Sequence, residues 1–295
     1  MTAPGKAQVV AEAHRLGADL IGFARVERWA EFDEVPLDYR PRAIWNLAET
    51  VIVMGVPVLL PVVESTPSIN YQEMYNASNV LLDQLAFRLS LFLNALGHPA
   101  IPIPRDGYGN LDVLLQKMPA SFSHVYAAKY AGLGTIGFSH NLLNPKYGPR
   151  VRYVSLFTEA AIESDAMIEG DLCVKCELCR KLCPAQALES RPDTLIAEFD
   201  ALACTQHHQK LVEQSRWPCG VCIKVCPIGE DRKLYRRTHP ADYLREAAAL
   251  RVDPLDARYR HLTHLRTHGS LGDGSEGERA LEINAPLSME ILSMY

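Results

Sequence analysis

All eight cysteines of this 295-residue chain lie within one segment of about fifty residues, so the thiols form a single localised group. The first four have the spacing C-x2-C-x2-C-x3-C and are followed by proline. The last three have the spacing C-x2-C-x3-C, again followed by proline, and one isolated cysteine stands between the two runs. The group consists of Cys173, Cys176, Cys179, Cys183, Cys204, Cys219, Cys222 and Cys226. In a reducing compartment such clustered thiols are metal ligands rather than disulfide partners.

The spacing favours iron-sulfur clusters over zinc. A structural zinc site usually pairs two C-x2-4-C segments. Three thiols in close succession, with a fourth before proline, instead match the ferredoxin signature, in which the fourth cysteine binds the other [4Fe-4S] cluster. By this crossing rule, the first cluster is predicted to be held by Cys173, Cys176, Cys179 and Cys226. The second cluster is predicted to be held by Cys183, Cys204, Cys219 and Cys222.

The residues around the cysteines give weaker signals. Short helical stretches are predicted at residues 185–188 and 223–225, with prolines turning the chain beside the clusters. His207 and His208 follow the isolated cysteine closely. Because the cysteines already complete two sets of four, we interpret these histidines as exposed loop residues.

Composition and charge limit the class of protein. Hydrophobic residues make up 48% and charged residues 22% of the chain, enough apolar content for a sizeable core. The net charge of -5 argues against an electrostatic nucleic-acid binder, although a local basic patch stays open. The longest apolar run, residues 51–63, contains two prolines and is too short for a bilayer core of about 30 Å. The N-terminus lacks the pattern of a secretory signal, so we expect a cytoplasmic protein without a membrane partner.

Hydrophobic patterning predicts mixed helix and strand before the cysteines. A short helix is predicted at residues 9–16, and strands at residues 19–26, 50–56, 99–104 and 152–158. Apolar residues at helical spacing between residues 81 and 96 predict a helix with a core-facing stripe. From about residue 252 the chain turns polar, and residues 269–277 are predicted to be a flexible loop. We therefore expect a C-terminal tail.

A glycine-rich segment at residues 131–152 could bring backbone close to a large ligand. Its glycines match G-x-G-x-x-G, but no clear strand precedes them, as a dinucleotide site would require. A structural turn explains the same glycines.

Together these features resemble the cobalamin-dependent iron-sulfur reductases, which comprise epoxyqueuosine reductase and the reductive dehalogenases. The resemblance covers roughly residues 7–230. It rests on Gly-Ala-Asp-Leu-Ile-Gly-Phe at residues 17–23, on the glycine segment with Tyr-Gly-Pro-Arg-Val-Arg at residues 147–152, and on the cysteine spacing with its isolated Cys204. The Tyr-Gly-Pro-Arg-Val-Arg stretch is more like the dehalogenases, and the lack of an export signal is more like the cytoplasmic reductases.

The resemblance implies an α+β fold in three parts. Residues 1–165 would form a nitroreductase-like α/β core that binds a base-off corrinoid. Residues 166–235 would form a ferredoxin-like module with two [4Fe-4S] clusters, and residues 236–295 a polar tail, helical or irregular. The glycine segment would line the corrinoid pocket, and nearby arginines could hold corrinoid amides or phosphate unless they form surface salt bridges. The implied cofactor-binding residues are Gly132, Gly134, Gly137, Asn141, Arg150 and Arg152.

The proton donor is where the chain departs from one branch of this family. Epoxyqueuosine reductases have an aspartate donor shortly before the Ala-Gly-Leu-Gly stretch, whereas residues 117–130 here contain no Asp or Glu. Dehalogenases use a tyrosine assisted by a basic residue. The resemblance therefore favours Tyr126 with Lys129 over His124 and Tyr130, because the two lie three apart on one helical face. Core aromatics and a solvated lysine are the alternative.

The predicted function is a cobalamin-dependent oxidoreductase. Electrons from an external one-electron donor, such as ferredoxin or flavodoxin, would pass through both clusters to a corrinoid that reduces a small-molecule or nucleoside-like substrate. One alternative is an electron-transfer or corrinoid-reactivating protein with no organic substrate. Another is a flavin-dependent reductase on the same scaffold, because fold alone does not determine function.

Overall fold

The computed structural model describes residues 4–117 and 120–270, and its elements are as follows. The strands are β1 (Leu20–Arg25), β2 (Thr50–Pro57), β3 (Ala100–Ile103), β4 (Thr135–Ile136), β5 (Leu142–Leu143), β6 (Val151–Thr158), β7 (Leu188–Glu189) and β8 (Glu198–Phe199). The helices before the cysteines are α1 (Lys6–Leu16), α2 (Pro41–Ile44), α3 (Leu60–Val63), α4 (Ile69–Ala95), α5 (Leu111–Gln116) and α6 (His124–Tyr130). Those that follow are α7 (Leu178–Lys181), α8 (Ala201–Glu213), α9 (Val221–Val225), α10 (Asp231–Leu234), α11 (Ala241–Val252) and α12 (Arg260–Thr267). Short 3-10 helices lie at Val26–Ala30, Leu37–Tyr39 and Ala257–Tyr259.

An antiparallel sheet with the strand order β1-β2-β6-β3 forms the centre of the fold. Strand β2 is rich in β-branched residues and is buried along almost its whole length, as expected for a strand covered on both faces. Helices α1 and α4 cover one face of the sheet, where Leu85 and Leu89 pack against Ile52 and Leu156. On the other face Tyr130 of α6 packs in a second apolar cluster. The sheet therefore supports both the helical side and the side that carries the glycine segment.

The structure confirms the main elements that hydrophobic patterning predicts. Helix α1 ends at Gly17, whose φ of 111° is the left-handed conformation that closes many helices. The four predicted strands correspond to β1, β2, β3 and β6, and β3 lies at the sheet edge. Helix α4 begins earlier than its apolar stripe because Ser68 caps it by accepting a hydrogen bond from the Tyr71 amide. A helix rather than a strand precedes the glycine segment, as the lack of a strand signal indicated.

Two predictions about the cysteine region are wrong. Residues 185–188 do not form a helix, because Leu188 pairs with Phe199 and the backbone there is extended. His207 and His208 do not lie in an exposed loop, because both belong to α8 and are partly buried. His208 packs edge-on against the indole of Trp217. The helix predicted at residues 223–225 is confirmed and is part of α9.

The predicted polar tail is folded as far as residue 270. Leu262 of α12 is buried, and the Arg266 guanidinium donates hydrogen bonds to the carbonyl oxygens of Glu64 and Ser65. Arg266 and the buried Lys224 both donate to the carboxylate of Glu246 on α11. Paired in this way, charged residues stay inside the fold, so polar composition alone was misleading. Residues 271–295, including most of the loop predicted at residues 269–277, lie outside the described residues.

Within the part of the chain that the structure describes, no helix has both the length and the apolar character needed to cross a membrane.

Candidate functional site

The two predicted cysteine sets surround two separate cavities. Four cysteines line the first cysteine cavity: Cys173, Cys176, Cys179 and Cys226. The other four line the second cysteine cavity, which has a volume of about 260 Å³: Cys183, Cys204, Cys219 and Cys222. The exchange of one cysteine between the two motifs thus has a geometric counterpart in the fold. That these cysteines are cluster ligands stays a prediction.

The cysteine side chains surround a space instead of meeting at a point. Among the described residues, no three Cys, His, Asp or Glu side chains are close enough to hold a single metal ion. A polynuclear cluster needs a different geometry, because its inorganic core stands between the thiolates. Both cavities have the four thiols that a [4Fe-4S] cluster requires, but only the second, at about 260 Å³, is open in this structure, because the first measures about 20 Å³.

Local backbone geometry brings the cysteines of each motif together. Glu177 and Gly220 each adopt left-handed backbone angles at the residue before a short helix, α7 and α9 respectively. At Gly220 a side chain would also collide with the ring of Tyr71, so only glycine fits there. These turns direct successive cysteines of a run towards one side of the chain.

Burial favours the protonated form of several of the cysteine thiols. It raises the pKa of Cys179 and Cys204 to about 12, and neighbouring cysteines add to the effect. Burial also raises the pKa of Cys226 to about 11, against the opposing influence of Arg150 and Arg232. Thiolates are the metal-binding form, so metal binding by these cysteines would release protons and would be weakened by acid.

Arg150 joins the central sheet to the second cysteine motif. Its side chain is fully buried, and its Nε and Nη2 donate to the two carboxylate oxygens of Asp231 over 2.6 and 2.7 Å. The remaining N-H groups donate to backbone carbonyls of Ile223, Cys226 and Ile228 over 3.2, 3.3 and 2.6 Å. All five donors of the guanidinium are therefore used within the protein.

The structure corrects the predicted role of Arg150. With every donor occupied and no exposed surface, its guanidinium has no hydrogen bond left for corrinoid amides or phosphate. The surface salt bridge considered as the alternative is also wrong, because the ion pair with Asp231 is buried. Arg150 holds the Cys226 segment against the core, and Arg232 donates to the same Cys226 carbonyl over 2.6 Å.

A large cavity of about 630 Å³ lies between the β6 strand, the start of α6 and two loops. A neighbouring side cavity of about 540 Å³ shares part of its wall, at Arg105, Asp106 and Tyr108, and extends to Trp217 beside the second cysteine motif. The walls of the large cavity are mainly apolar, and the following polar side chains also contribute: Glu34, Tyr39, Ser123, His124, Tyr126, Arg152 and Tyr153. Both cavities together offer space for a large organic ligand.

Several buried polar atoms in the walls of these two cavities have no hydrogen-bond partner among the described residues. In the large cavity they are Arg105 Nε, Arg152 Nε and the Tyr153 hydroxyl, and in the side cavity they are Asn79 Oδ1 and Trp217 Nε1. An unsatisfied buried polar atom costs about 1–3 kcal/mol. The walls thus suit a ligand that carries several hydrogen-bonding groups, as the amide side chains of a corrinoid would supply.

Aromatic contacts link the second cysteine motif to the large cavity. Trp217, two residues before Cys219, packs edge-on against Tyr75 with ring centroids 4.7 Å apart. The Arg152 guanidinium lies 3.9 Å from the centre of the Tyr75 ring and also lines the large cavity. A continuous set of side chains therefore spans the interval between the second motif and the cavity.

The two residues of the predicted donor pair, Tyr126 and Lys129, have different surroundings. Tyr126 lines the large cavity, and burial together with the Glu34 carboxylate raises its pKa. Lys129 donates to Glu34 over 2.5 Å, and the Tyr130 hydroxyl donates to the other Glu34 oxygen over 2.9 Å. Tyr130 is a core residue, whereas Tyr126 is only half-buried. Sequence reasoning missed Glu34, because it lies 95 positions from Lys129 and no local pattern connects them.

His124 is held in place on both sides of its ring. Its nitrogens lie 2.8 Å from the Ser155 hydroxyl and 2.8 Å from the Pro104 carbonyl. Because the carbonyl can only accept, Nε2 donates to it. Burial lowers the pKa of His124, so it is a neutral wall residue and a weak source of protons.

The glycine segment packs mainly against protein. A side chain at Gly132 or Gly134 would collide with the carbonyl oxygens of Ala166 and Leu143 respectively, which explains these glycines without a cofactor. Gly137 lines the first cysteine cavity and Asn141 lines the second. Of the predicted cofactor residues, Arg152 lines the large cavity. A corrinoid contact for the other residues of the glycine segment stays a prediction.

Comparison with known proteins supports the resemblance that the motifs indicate. No family model matches the chain. A tetrachloroethene reductive dehalogenase of Dehalobacter restrictus (strain DSM 9455 / PER-K23) is 24% identical over 226 residues, which cover 71% of this chain and 36% of the relative. The chain thus spans little more than a third of the length of that relative.

Solved structures show the same fold. A reductive dehalogenase structure described as suggesting a mechanism for B12-dependent dehalogenation has a TM-score of 0.60 and 22% identity, covering 89% of this chain and 39% of its own. An epoxyqueuosine reductase with a tRNA-Tyr epoxyqueuosine-modified stem loop has a TM-score of 0.53 and 18% identity, covering 75% of this chain and 64% of its own. The resemblance to these two groups of reductases and the α+β fold are therefore confirmed.

We predict that replacing Asp231 by Asn will destabilise the protein strongly. The substitution preserves shape but leaves the Arg150 charge buried without its counter-ion, which should lower the free energy of unfolding by about 3–5 kcal/mol. Urea unfolding of the purified protein measures the effect. Asp242→Asn is the matched control, because Asp242 forms an exposed ion pair with Arg245 and should change stability by less than about 1 kcal/mol. Equal effects of the two substitutions would contradict a structural role for the buried pair.

Proposed function

We propose that this chain forms the catalytic unit of a corrinoid-dependent iron-sulfur oxidoreductase. The observation that carries the proposal is the contact from the second cysteine motif through Trp217, Tyr75 and Arg152 to the large cavity. The similarity to reductive dehalogenases and epoxyqueuosine reductases supports it. The chain spans only part of the length of the relatives it matches. The proposed activity is therefore argued from the geometry of the chain's own site.

Different groups of residues hold the different cofactors. On this proposal the cysteines of the first cavity hold one [4Fe-4S] cluster and those of the second cavity hold the other. Arg105, Arg152 and Tyr153 bind the amide groups of cobalamin, and the apolar walls around them exclude water. When bound, the clusters supply one-electron transfer and the reduced corrinoid supplies the reaction with substrate.

The exposed end of the electron path lies at the first cysteine motif. Val174, between two cysteines of the first cavity, is 64% exposed, whereas the second motif packs against buried Tyr71. An external one-electron donor, such as ferredoxin or flavodoxin, would approach the first motif. Electrons would then pass to the second cluster, which is the one next to the aromatic contacts.

The substrate is proposed as a class. A small organic molecule fits the predominantly apolar large cavity. The argument from net charge against nucleic acid is weakened, because one similar structure contains a modified tRNA stem loop. A nucleoside within RNA therefore belongs with small organohalides among the compounds to be screened. A cytoplasmic location stays a prediction.

Anaerobic reconstitution tests the cofactor assignment. We expect protein treated with iron, sulfide and hydroxocobalamin, then desalted, to retain about eight irons and one cobalt per chain. Arg152→Met is the matched variant, since it removes a cavity cation and should reduce retained cobalt while the iron content is unchanged. Eight irons without cobalt in the wild type would contradict the proposal. In a parallel incubation with FMN, its retention would then indicate a flavin enzyme, and retention of neither cofactor an electron-transfer protein.

Single cysteine substitutions test which residues share a cluster. Cys226→Ser should remove the cluster of the first cavity, although Cys226 belongs to the second run in sequence. Cys204→Ser should remove the cluster of the second cavity. Iron analysis with electron paramagnetic resonance of the reduced proteins distinguishes the two losses. If both substitutions abolished the same cluster, the crossing assignment would be wrong.

Tyr126 is the proposed proton donor. It lines the cavity, and its raised pKa keeps the phenol protonated throughout neutral pH. Lys129 lies on the same helix as Tyr126 and pairs with Glu34, which also accepts a hydrogen bond from the Tyr130 hydroxyl. In this arrangement Lys129 acts through Glu34. A positioned acid of this kind contributes about 10²- to 10⁴-fold to a rate.

We predict that Tyr126→Phe will lower kcat by about 10²- to 10⁴-fold with a substrate identified among chlorinated and brominated aromatics or epoxyqueuosine-containing RNA. Iron and cobalt contents should stay unchanged. Because the donor's pKa lies above the ordinary value near 10, this group should cause no loss of wild-type activity between about pH 7 and 9. Tyr39→Phe, which removes another hydroxyl from the same cavity wall, is the control and should have a small effect. Full activity of Tyr126→Phe would refute the assignment.

A further inference from the structure

His207 presents an unpartnered ring nitrogen to the second cysteine cavity. It lies on α8, one turn after Cys204, and its side chain lines the cavity together with Cys183, Cys219 and Cys222. Its Nε2 atom is buried and has no hydrogen-bond partner among the described residues. No cysteine sulfur accepts a hydrogen bond from this nitrogen among the described residues.

Other polar groups around this cavity already have partners. His140 also lines the cavity, but its Nε2 lies 2.8 Å from the Ala197 carbonyl. Asn141 Nδ2 donates to Ser139 over 2.9 Å and lies 3.5 Å from the Cys222 sulfur. A buried polar nitrogen without a partner costs about 1–3 kcal/mol, so in its Nε2-H tautomer His207 needs an acceptor from the contents of the cavity. In a cysteine-lined cavity that acceptor is sulfur.

We propose that His207 donates its Nε2-H to a sulfur of the [4Fe-4S] cluster in the second cavity and raises the reduction potential of that cluster. The inference rests on the proposed second cluster alone, and neither the corrinoid nor the substrate enters it. His207 contacts the cluster without being one of its ligands, since the cysteines complete the ligand set.

The direction of the effect follows from charge. Reduction adds one negative charge to the cluster, and a hydrogen bond to its sulfur stabilises the more negative state. Hydrogen bonds to the sulfurs are among the main determinants of iron-sulfur potentials. The Asn141 amide near Cys222 acts in the same sense, so two side-chain donors favour the reduced form of the second cluster.

The position of this cluster gives the hydrogen bond its significance. The second cysteine motif is the one that contacts the large cavity through Trp217 and Tyr75. The potential of its cluster therefore sets the driving force for the last electron transfer toward the cavity. Through one side chain on α8, the protein adjusts that step without altering the cysteine ligands.

Potentiometry of protein reconstituted with iron and sulfide alone tests the proposal. In His207→Leu the potential of the second cluster should shift to a more negative value, while that of the first cluster stays constant as an internal reference. The second cluster is identified by its loss in Cys204→Ser. His207→Gln restores an N-H donor, and its potential should return toward the wild-type value.

His208→Leu is the matched control. His208 is the adjacent residue on the same helix, but it contacts Trp217 and does not line the cavity. We expect no shift in this variant. An unchanged potential in His207→Leu, or equal shifts in both leucine variants, would overturn the proposal.

A second measurement tests the proposal even if His207→Leu fails to retain the cluster. Wild-type protein containing [15N]histidine should show a nitrogen coupling at the reduced second cluster in pulsed electron paramagnetic resonance, and His207→Gln should lack it. Absence of the coupling in the wild type would overturn the inference. Wild-type protein with only about four irons would instead refute the proposed function, so the two failures are distinguishable.

Discussion

The buried guanidinium of Arg150 is the interaction on which the arrangement of the other parts depends. A fully buried cation is tolerated only if its charge and all its hydrogen bonds are compensated, and here the compensating groups come from residues 223–231. The start of β6 therefore cannot separate from the segment that contains Cys226. Two residues further on, Arg152 reaches the large cavity. One short stretch of chain thus fixes the cysteine motifs relative to the cavity wall.

Much of this architecture is accessible from local sequence pattern. The apolar stripe between residues 81 and 96 predicts the face of α4 that packs on the sheet, because a helix and its core contacts follow from spacing alone. The β-branched run of β2 identifies a buried strand for the same reason. The cysteine spacing also separates the two sets that line the two cavities, since the ferredoxin pattern encodes an exchange of one ligand.

The parts that sequence pattern did not predict involve partners far apart in the chain. Arg150 and Asp231 are 81 positions apart, and Glu34 and Lys129 are 95 positions apart, so no local periodicity connects either pair. The packing of the C-terminal helices against the rest of the fold was not predicted, for a related reason. A segment rich in charged residues is typical of a solvent-exposed surface. Inside this fold, however, Lys224 and Arg266 balance the charge of Glu246. Amino-acid composition gives the number of charged residues but not which of them pair.

The two cysteine cavities differ in the kind of group that contacts sulfur. In the first, the backbone amide of Phe138 donates to Cys173. In the second, a backbone amide contacts Cys183, while the side chains of Asn141 and His207 also face the cavity. A backbone donor is fixed by the turn that contains it and cannot change without the fold. A side-chain donor can be replaced at one position, so the second cavity is the one in which a single substitution can change the hydrogen bonding around the cysteines without altering them.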